Sequence, residues 1–390
     1  MPMRIAFDAR SLIGLRTGVG VWLEGLLRGL ASTTDFRFLL CLPRRVARLG
    51  LDDLGDRATV LAPAVPLPGT LWLQTTAAAM VVQRADAYVA TLGVLPRRLV
   101  TPNVLVVHDL TPRSHPGRHT LANRFCFNAY FEESLGRAGT LVCMSEATRS
   151  AVALLEPQAA RRAVVIGAGV DPLFSPPLDD GVEGEVTRRR FAGGRPYLVQ
   201  LGTLEPRKGI STLLTAHGML LKRRPDAPDL VLAGGRGWGG GWLERALTQH
   251  PDRARVHLPG YVERQEARDL LRHAELVVLA SDEEGFGLPL AEALACGAAC
   301  VASDAPALVE LAGGAARHFP RADPTALVAL LAEALKPEAR RELREAALRR
   351  APALGREGPL SAWRELLSRV ASGQPSLGEL RMPGNGSARD

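Results

Sequence analysis

Leu276-Val277-Val278-Leu279-Ala280-Ser281-Asp282-Glu283-Glu284-Gly285-Phe286-Gly287-Leu288-Pro289-Leu290-Ala291-Glu292-Ala293-Leu294-Ala295-Cys296-Gly297 changes character three times. Leu276 to Ala280 is a short apolar run, the pattern of a strand buried on both faces of a parallel sheet. An acidic loop follows, with Gly285 and Gly287 flanking Phe286. From Pro289 the residues are helical, and Gly297 is placed to end that helix at the C′ position. Strand, loop and helix in this order put the loop at the carboxyl edge of an open α/β sheet, where such sheets bind ligands. Backbone N–H groups at the helix start suit an anion such as a phosphate. Glu284 and Glu292 stand either side of the turn, with Glu292 one helical turn in from Pro289, so both can face one ligand. Paired carboxylates serve as acid and base, as acceptors for ribose hydroxyls, or as metal ligands. A solvated cap and a surface glutamate are the alternative, but a carboxylate among Leu290, Ala291, Ala293 and Leu294 needs a partner.

Outward from this stretch, the same alternation fills the chain. Arg4–Asp8, 36–42, 59–61, 87–91, 103–107, 139–144 and 163–169 read as strands. Helices are expected over 21–31, 71–84, 124–137 and from Ser145, a fitting N-cap. The Pro-, Asp- and Gly-rich stretch 174–181 breaks the pattern. The alternation restarts with strands at 197–201, 229–233, 255–258, 276–280 and 299–303. Helices are expected over 209–223, from Trp242, and over 265–274, 325–334, 338–349 and 360–371. Repeated strand–helix alternation predicts parallel sheets covered on both faces. The expected architecture is α/β, with two Rossmann-like domains facing a cleft that can close over a ligand. The first domain is expected over 1–175, a linker over 176–190 and the second domain over 191–355. The residues 373–390, rich in Gly, Pro, Ser and charge, are expected to be a disordered tail.

The bulk composition agrees. A chain of 390 residues suits about two domains. Met1 to Phe7 run straight into a strand, without a signal-peptide core, and no run approaches the roughly 18 apolar residues of a membrane span. Five cysteines without a CxxC spacing point to buried thiols in a reducing compartment, so a cytoplasmic protein is expected. The net charge of +7 is uneven: up to Leu178 there are 19 basic and 13 acidic residues, and afterwards 29 and 28. A basic first half can meet an anionic membrane surface or a phosphorylated acceptor, or it can be a solvated face. Aromatic residues make up 5%, with no basic–aromatic interleaving, so no nucleic-acid partner is expected. Only Lys208, Lys222 and Lys336 stand among 45 arginines, which makes each lysine worth a question.

Two other places carry candidate chemistry. Gly202-Thr203-Leu204-Glu205-Pro206-Arg207-Lys208-Gly209 follows a strand and precedes a helix. Two adjacent cations at a helix start oppose the helix dipole, a cost that makes sense if an anion such as a diphosphate binds between them. His108 and Asp109 end a buried strand, where a histidine binds a hydroxyl, moves a proton, or is simply structural. The Gly-rich loop containing Gly14, Gly18 and Gly20 resembles a nucleotide-binding turn but lacks GxGxxG spacing. The remaining histidines have no metal-ligand spacing, so no metal site is expected.

Together these motifs resemble the retaining glycosyltransferases of family 4, which have the GT-B fold and are also called glycosyl transferases group 1. Glu284 to Gly297 resembles that family's E-x7-E signature, and Gly202 to Gly209 its GT-x-x-x-RKG segment. Gly167-Ala168-Gly169-Val170-Asp171 resembles an NGVD turn, with Ala168 departing. Gly260-Tyr261-Val262, Ser303-Asp304, Thr17-Gly18-Val19-Gly20, His108-Asp109-Leu110 and Ser145-Glu146 also match. Ser361-Ala362-Trp363 matches a helix that crosses back onto the first domain, here over 356–372. The resemblance covers about residues 3–372.

The resemblance implies a nucleotide-activated sugar held mainly by the second domain. Arg207 and Lys208 would clamp the donor diphosphate, with Gly18 and Gly20 against the phosphates. Glu284, with the backbone of Gly285, Phe286, Gly287 and Leu288, would hold the transferred sugar and leaving phosphate. Glu292 would accept the ribose hydroxyls, and His108 would reach the sugar from the first domain. Without a DxD loop, no metal or other cofactor is expected. The form of the Gly202–Gly209 segment resembles members that use GDP-mannose or a related GDP- or UDP-hexose in bacterial surface polysaccharide synthesis. A saccharide or lipid-linked acceptor at the inner membrane is the expected partner. A sugar-nucleotide epimerase on the same fold, or a non-catalytic nucleotide-binding scaffold, is the alternative.

Overall fold

The computed structural model describes residues 2–16, 18–110, 130–177, 181–237 and 241–374. The chain divides into two compact units, one built from residues up to 169 and from 356 onward, the other from 170–355.

The first unit holds seven strands: β1 (Arg4–Asp8), β2 (Arg37–Cys41), β3 (Ala58–Leu61), β4 (Ala87–Ala90), β5 (Asn103–Val107), β6 (Thr140–Cys143) and β7 (Ala163–Val165). They form one parallel sheet in the order β3-β2-β1-β4-β5-β6-β7. β4 and β6 are buried at every position, as strands with both faces covered should be. The order reverses direction between β1 and β4, which makes their carboxyl ends the switch point of this sheet. Helix α1 (Gly18–Thr33) leaves β1 there and buries Trp22, Leu23, Leu26, Leu27 and Leu30 along one stripe. The terminal helix Glu357–Ala371 packs on α1: Trp363 meets Trp22 at 5.9 Å between ring centroids. A Cβ at Gly29 would stand 2.5 Å from Leu360 Cδ2, so a larger residue here would make the Leu360 side chain shift.

The second unit holds β8 (Tyr197–Leu201), β9 (Asp229–Ala233), β10 (Val256–Gly260), β11 (Leu276–Leu279), β12 (Cys300–Ser303) and β13 (Ala316–Phe319). The parallel order is β10-β9-β8-β11-β12-β13, with the switch point between β8 and β11. Alternate residues face opposite layers. Tyr197, Val199, Val277 and Leu279 enter one core, and Leu198, Leu276 and Val278 enter the other. The covering helices include α2 (Val182–Ala192), α3 (Ile210–Arg223), α4 (Arg264–Arg272) and α5 (Leu288–Ala295).

Four expectations need correction. The stretch 176–190 is no free linker: α2 begins at Val182 and packs into the second unit through Phe191 and Ala192. Glu183 anchors it, 2.9 Å from His273 Nε2 and 3.4 Å from Arg272 Nη1. The helix expected over 71–84 is two short helices, Gly69–Thr75 and Ala77–Val81, followed by Gln83 at φ 60°. The strand expected over 163–169 is paired only over Ala163–Val165. The helix Pro306–Ala312 and strand β13 were not anticipated. Residues 130–137 of the helix expected over 124–137 are helical. The rest of that helix, linker residues 178–180 and tail residues 375–390 lie outside the described residues.

Candidate functional site

The stretch from Leu276 to Gly297 forms β11, an acidic loop and α5. Gly297 ends α5 as expected. Its N–H bonds to Leu294 O and the Ala298 N–H to Ala293 O, both at 3.0 Å, which is the Schellman pair. At the other end, Gly287 caps the helix at φ 91°. The conformation favours glycine, and a Cβ there would also meet Leu308 Cδ2 at 2.4 Å, so the leucine tip would have to shift. Of the first two helical positions, only Leu288 has an amide N–H, because Pro289 lacks one.

Two loops meet at the switch point between β8 and β11. Arg207 and Lys208 lie in the 3-10 turn Pro206–Lys208, and Gly209 follows at φ 64°. Lys208 Nζ is 2.6 Å from Glu284 Oε1, and Arg207 Nη1 is 3.7 Å from Glu284 Oε2. Arg207 Nη2 also pairs with Glu205 Oε1 at 2.8 Å. The Glu284 side chain is only 8% exposed. Burial pushes its carboxyl up, but Lys208 and Arg207, with hydrogen bonds from Lys208 and Ser281, outweigh that and hold it below the usual carboxylate range. The sequence reading placed the two cations on a diphosphate and Glu284 on a sugar. In the structure these residues form one charged cluster, with two cations and two carboxylates.

Glu292, half-buried on α5, has the opposite setting. Burial raises its pKa to about 8, with Arg264 opposing and Asp171 reinforcing the rise. Arg264 is itself held by Asp171, at 3.1 Å, and lies over the Phe174 ring. The two glutamates are therefore distinct chemically: Glu284 is an anion at neutral pH, whereas Glu292 is poised between acid and anion.

In the first unit the candidates gather at the other switch point. His108 follows β5, and its Nε2 is 3.0 Å from Thr91 O, just after β4. A carbonyl only accepts, so Nε2 carries the proton and Nδ1 the lone pair. The ring meets Trp22 edge-on at 4.8 Å. Burial pulls the His108 pKa down to about 4, with Asp109 and the Thr91 carbonyl opposing, so the ring is neutral at pH 7. Gly18 opens α1 with no heavy atom within 4 Å of where a Cβ would stand. Gly20 has a packing reason instead: a Cβ would be 2.5 Å from Ser11 O. Thr91 Oγ1 donates to Asp8 O at 2.6 Å, which ties the β1 and β4 ends together.

Four residues that support the cluster have no role in the sequence analysis, Ser303 standing there as a motif match alone. Gln200, on β8 and 3% exposed, donates from Nε2 to Lys208 O at 2.8 Å and accepts from Ala280 N at 3.4 Å. Ser281 Oγ donates to Glu284 Oε1 at 2.7 Å. Ser303 Oγ donates to Ser281 O, and His318 Nδ1 reaches Ser303 O at 3.0 Å. The available signal was a lone amide in the apolar run Tyr197–Leu201 and hydroxyls at two strand ends. Among the described residues, no group of three or more His, Cys, Asp or Glu side chains is arranged to hold a metal ion. None of the described helices is long and apolar enough to cross a membrane.

The family model "Glycosyl transferases group 1" matches residues 185–351. The O-antigen chain mannosyltransferase B of Escherichia coli is 28% identical over 249 residues, 64% of this chain and 65% of that protein. The D-inositol 3-phosphate glycosyltransferase of Jonesia denitrificans is 32% identical over 147 residues, 36% of this chain and 35% of that protein. The matched region thus spans less than two thirds of either relative's length. Among solved structures, Anabaena HepE in complex with UDP and glucose superposes with a TM-score of 0.72 at 21% identity, covering 94% of this chain and 99% of that one. At that identity the likeness shows the fold: two Rossmann-like domains with parallel sheets, the GT-B architecture.

Proposed function

We propose that the chain, whose residues 185–351 match the glycosyl transferases group 1 model, is a retaining glycosyltransferase that moves a hexose from a nucleoside-diphosphate sugar to a saccharide or lipid-linked acceptor. The observation that carries this reading is the contact of Lys208 Nζ with Glu284 Oε1 at 2.6 Å, at the sheet's switch point with Arg207 beside it. A departing diphosphate gathers negative charge while the sugar C1 becomes positive. Fixed cations and N–H donors answer the first need without reorganising during the reaction. In this mechanism the C1–O bond to the diphosphate breaks and its electron pair leaves with the phosphate oxygen. The acceptor hydroxyl oxygen bonds to C1 from the same face, and its proton passes to the departing oxygen. Arg207 and Lys208 hold the diphosphate. Glu284 and the backbone of Gly285 to Leu288 hold the sugar. Glu292 takes the ribose hydroxyls. The two cations supply the charge the leaving group needs, so no metal ion is required.

GDP-mannose is the preferred donor, supported by the mannosyltransferase name of the E. coli relative. Related GDP- and UDP-hexoses belong to the same donor class, as the form of the Gly202–Gly209 segment implies. Surface polysaccharide synthesis in the cytoplasm, with peripheral contact to the anionic inner membrane, belongs to the same proposal. It rests on the name of that relative and on the basic surplus before Leu178.

The test is release of nucleoside diphosphate from a panel of sugar nucleotides with varied acceptors, with Lys208→Ala as control. Transfer with retained anomeric configuration supports the reading. A wild-type protein that binds nucleotide tightly yet leaves every donor intact would be a scaffold. One that returns an altered sugar nucleotide without an acceptor would be an epimerase.

A further inference from the structure

We infer that Gln200 is a positioning residue that holds Lys208 in register with Glu284. The other residues of β8 are Tyr197, Leu198, Val199 and Leu201, all apolar or buried. A buried amide in such a strand is costly if left unpaired. Here both ends of the amide are used, one on each side of the switch point. Nε2 donates to Lys208 O, eight residues on, and Oε1 accepts from Ala280 N, at the end of β11. Ala280 directly precedes Ser281, whose hydroxyl holds Glu284 Oε1. One side chain therefore joins the backbone that carries the cation to the backbone that carries its carboxylate.

The bonds within the turn do not do this. Lys208 N→Glu205 O at 3.0 Å and Gly209 N→Pro206 O at 3.1 Å fix the shape of the 3-10 turn but not its distance from β11. That distance is set by Gln200, by the Asp282 N→Arg207 O bond at 2.9 Å and by the close approach of Gly209 to Ala280. Of these three, only Gln200 acts on Lys208 through a side chain. A lysine side chain is long and rich in rotamers, so small shifts of its backbone release the ammonium from a single partner. The consequence for diphosphate binding rests on the proposed function; the placement of Lys208 does not.

The composition provides a direct test. Lys208, Lys222 and Lys336 are the three lysines of the chain. The Lys208 side chain is 12% exposed and Lys336 60%. Acylation of the full chain by a water-soluble amine reagent, read by mass spectrometry, reports Lys208 against two internal references. In Gln200→Met, nearly the same volume without the amide, Lys208 should label about tenfold faster relative to Lys336, with the Lys222 to Lys336 ratio unchanged. Affinity for GDP or UDP should fall about tenfold, and affinity for the matching monophosphate should hold. Wild-type labelling of Lys208 in a folded Gln200→Met protein overturns the inference. If that variant does not fold, Gln200→Glu decides it, because it keeps the acceptor for Ala280 N and loses the donor to Lys208 O. A wild-type chain that binds neither diphosphate sinks the proposed function and leaves the labelling result to stand by itself.

Discussion

A Cβ added at Gly209 would stand 1.8 Å from the carbonyl oxygen of Ala280 and 2.6 Å from its carbon. The backbone leaving β8 thus touches the backbone leaving β11, and no side chain fits between them. This closeness lets Lys208, one residue before, reach Glu284, four residues after Ala280. Gly209→Ala should therefore do more than strain φ. The left-handed conformation alone costs roughly 1–2 kcal/mol for a residue with a Cβ. The clash is with main chain, which cannot swing aside, so a larger loss in urea unfolding is expected, together with weakened diphosphate binding. A loss of stability no larger than that of a typical exposed Gly→Ala change would contradict the contact.

Glu284 is expected to act in the transition state. Its side chain is held by Lys208, Arg207 and Ser281 together, so its charge is present well below neutral pH. Glu284→Gln keeps shape and removes charge. On the mechanism above, kcat should fall on the order of 10²–10³-fold, the scale of removing one preorganised electrostatic group. Donor affinity should move by less than tenfold, since the two cations remain and lose a competing anion. Isothermal titration with the donor beside turnover separates the two effects. Equal losses in both would make Glu284 a binding residue.

Glu292 gives a pH signature of opposite kind. Its pKa is about 8 in the fold against an ordinary 4.5. The native state therefore binds more protons than the unfolded chain between these values, and stability falls as pH rises from 4.5 to 8. At pH 5 Glu292→Gln should be close to the wild type. At pH 8.5 it should be the more stable protein, by an amount on the order of a few kcal/mol. Urea midpoints at the two values check this. A variant with the same advantage at both would mean that the half-buried carboxyl is not the source. The same substitution should blunt discrimination against 2′-deoxy donors, if the ribose assignment holds.

What the sequence disclosed depended on range. The strand, loop and helix around Glu284 are local patterns, and the end at Gly297 follows from one residue and its neighbours. β13 was not legible: Arg317 and His318 are half-buried at a sheet edge, so no apolar run marks that strand. The sequence of helix α2 resembles a linker because its exposed face holds Glu185, Arg189 and Arg190, while Phe191 and Ala192 alone supply the apolar anchor. The Lys208–Glu284 pair joins residues 76 apart through strands adjacent in space but not in sequence. The same holds for Gln200 and Ala280. Such contacts appear only once strand order is known, so the direct pairing of Lys208 with Glu284 is legible in neither motif.

His108 should be neutral throughout the working range. Its pKa of about 4 lies below the ordinary 6.5, so the unfolded chain binds the extra proton first. Stability from this site is full above pH 6.5 and is lost as pH falls toward 4. His108→Asn should flatten that part of the acid limb, although it also gives up the contact with Trp22. Turnover of the wild type should show no inflection near pH 6.5 from this ring. An imidazole that titrates in NMR near 6.5 would contradict the burial and rule out the neutral assignment.

The hydroxyl relay behind Glu284 permits a graded test. Ser281 Oγ bonds the carboxylate directly, and Ser303 Oγ bonds the backbone that carries Ser281. Both serines are buried, at 1% and 0% exposure; without its hydroxyl Ser281 leaves Glu284 Oε1 to Lys208 alone, and Ser303 without its own takes a donor from the Ser281 carbonyl. Ser281→Ala takes one donor from Glu284, and with it one of the influences that lower its pKa. It should reduce kcat by about tenfold, the effect of roughly 1.4 kcal/mol, and shift the acid limb of the rate profile upward. Ser303→Ala acts one step further away. It should cost stability of about 1 kcal/mol while moving that limb less than Ser281→Ala does. If Ser303→Ala shifted the profile more, Glu284 would take its position from β12 rather than from its own loop.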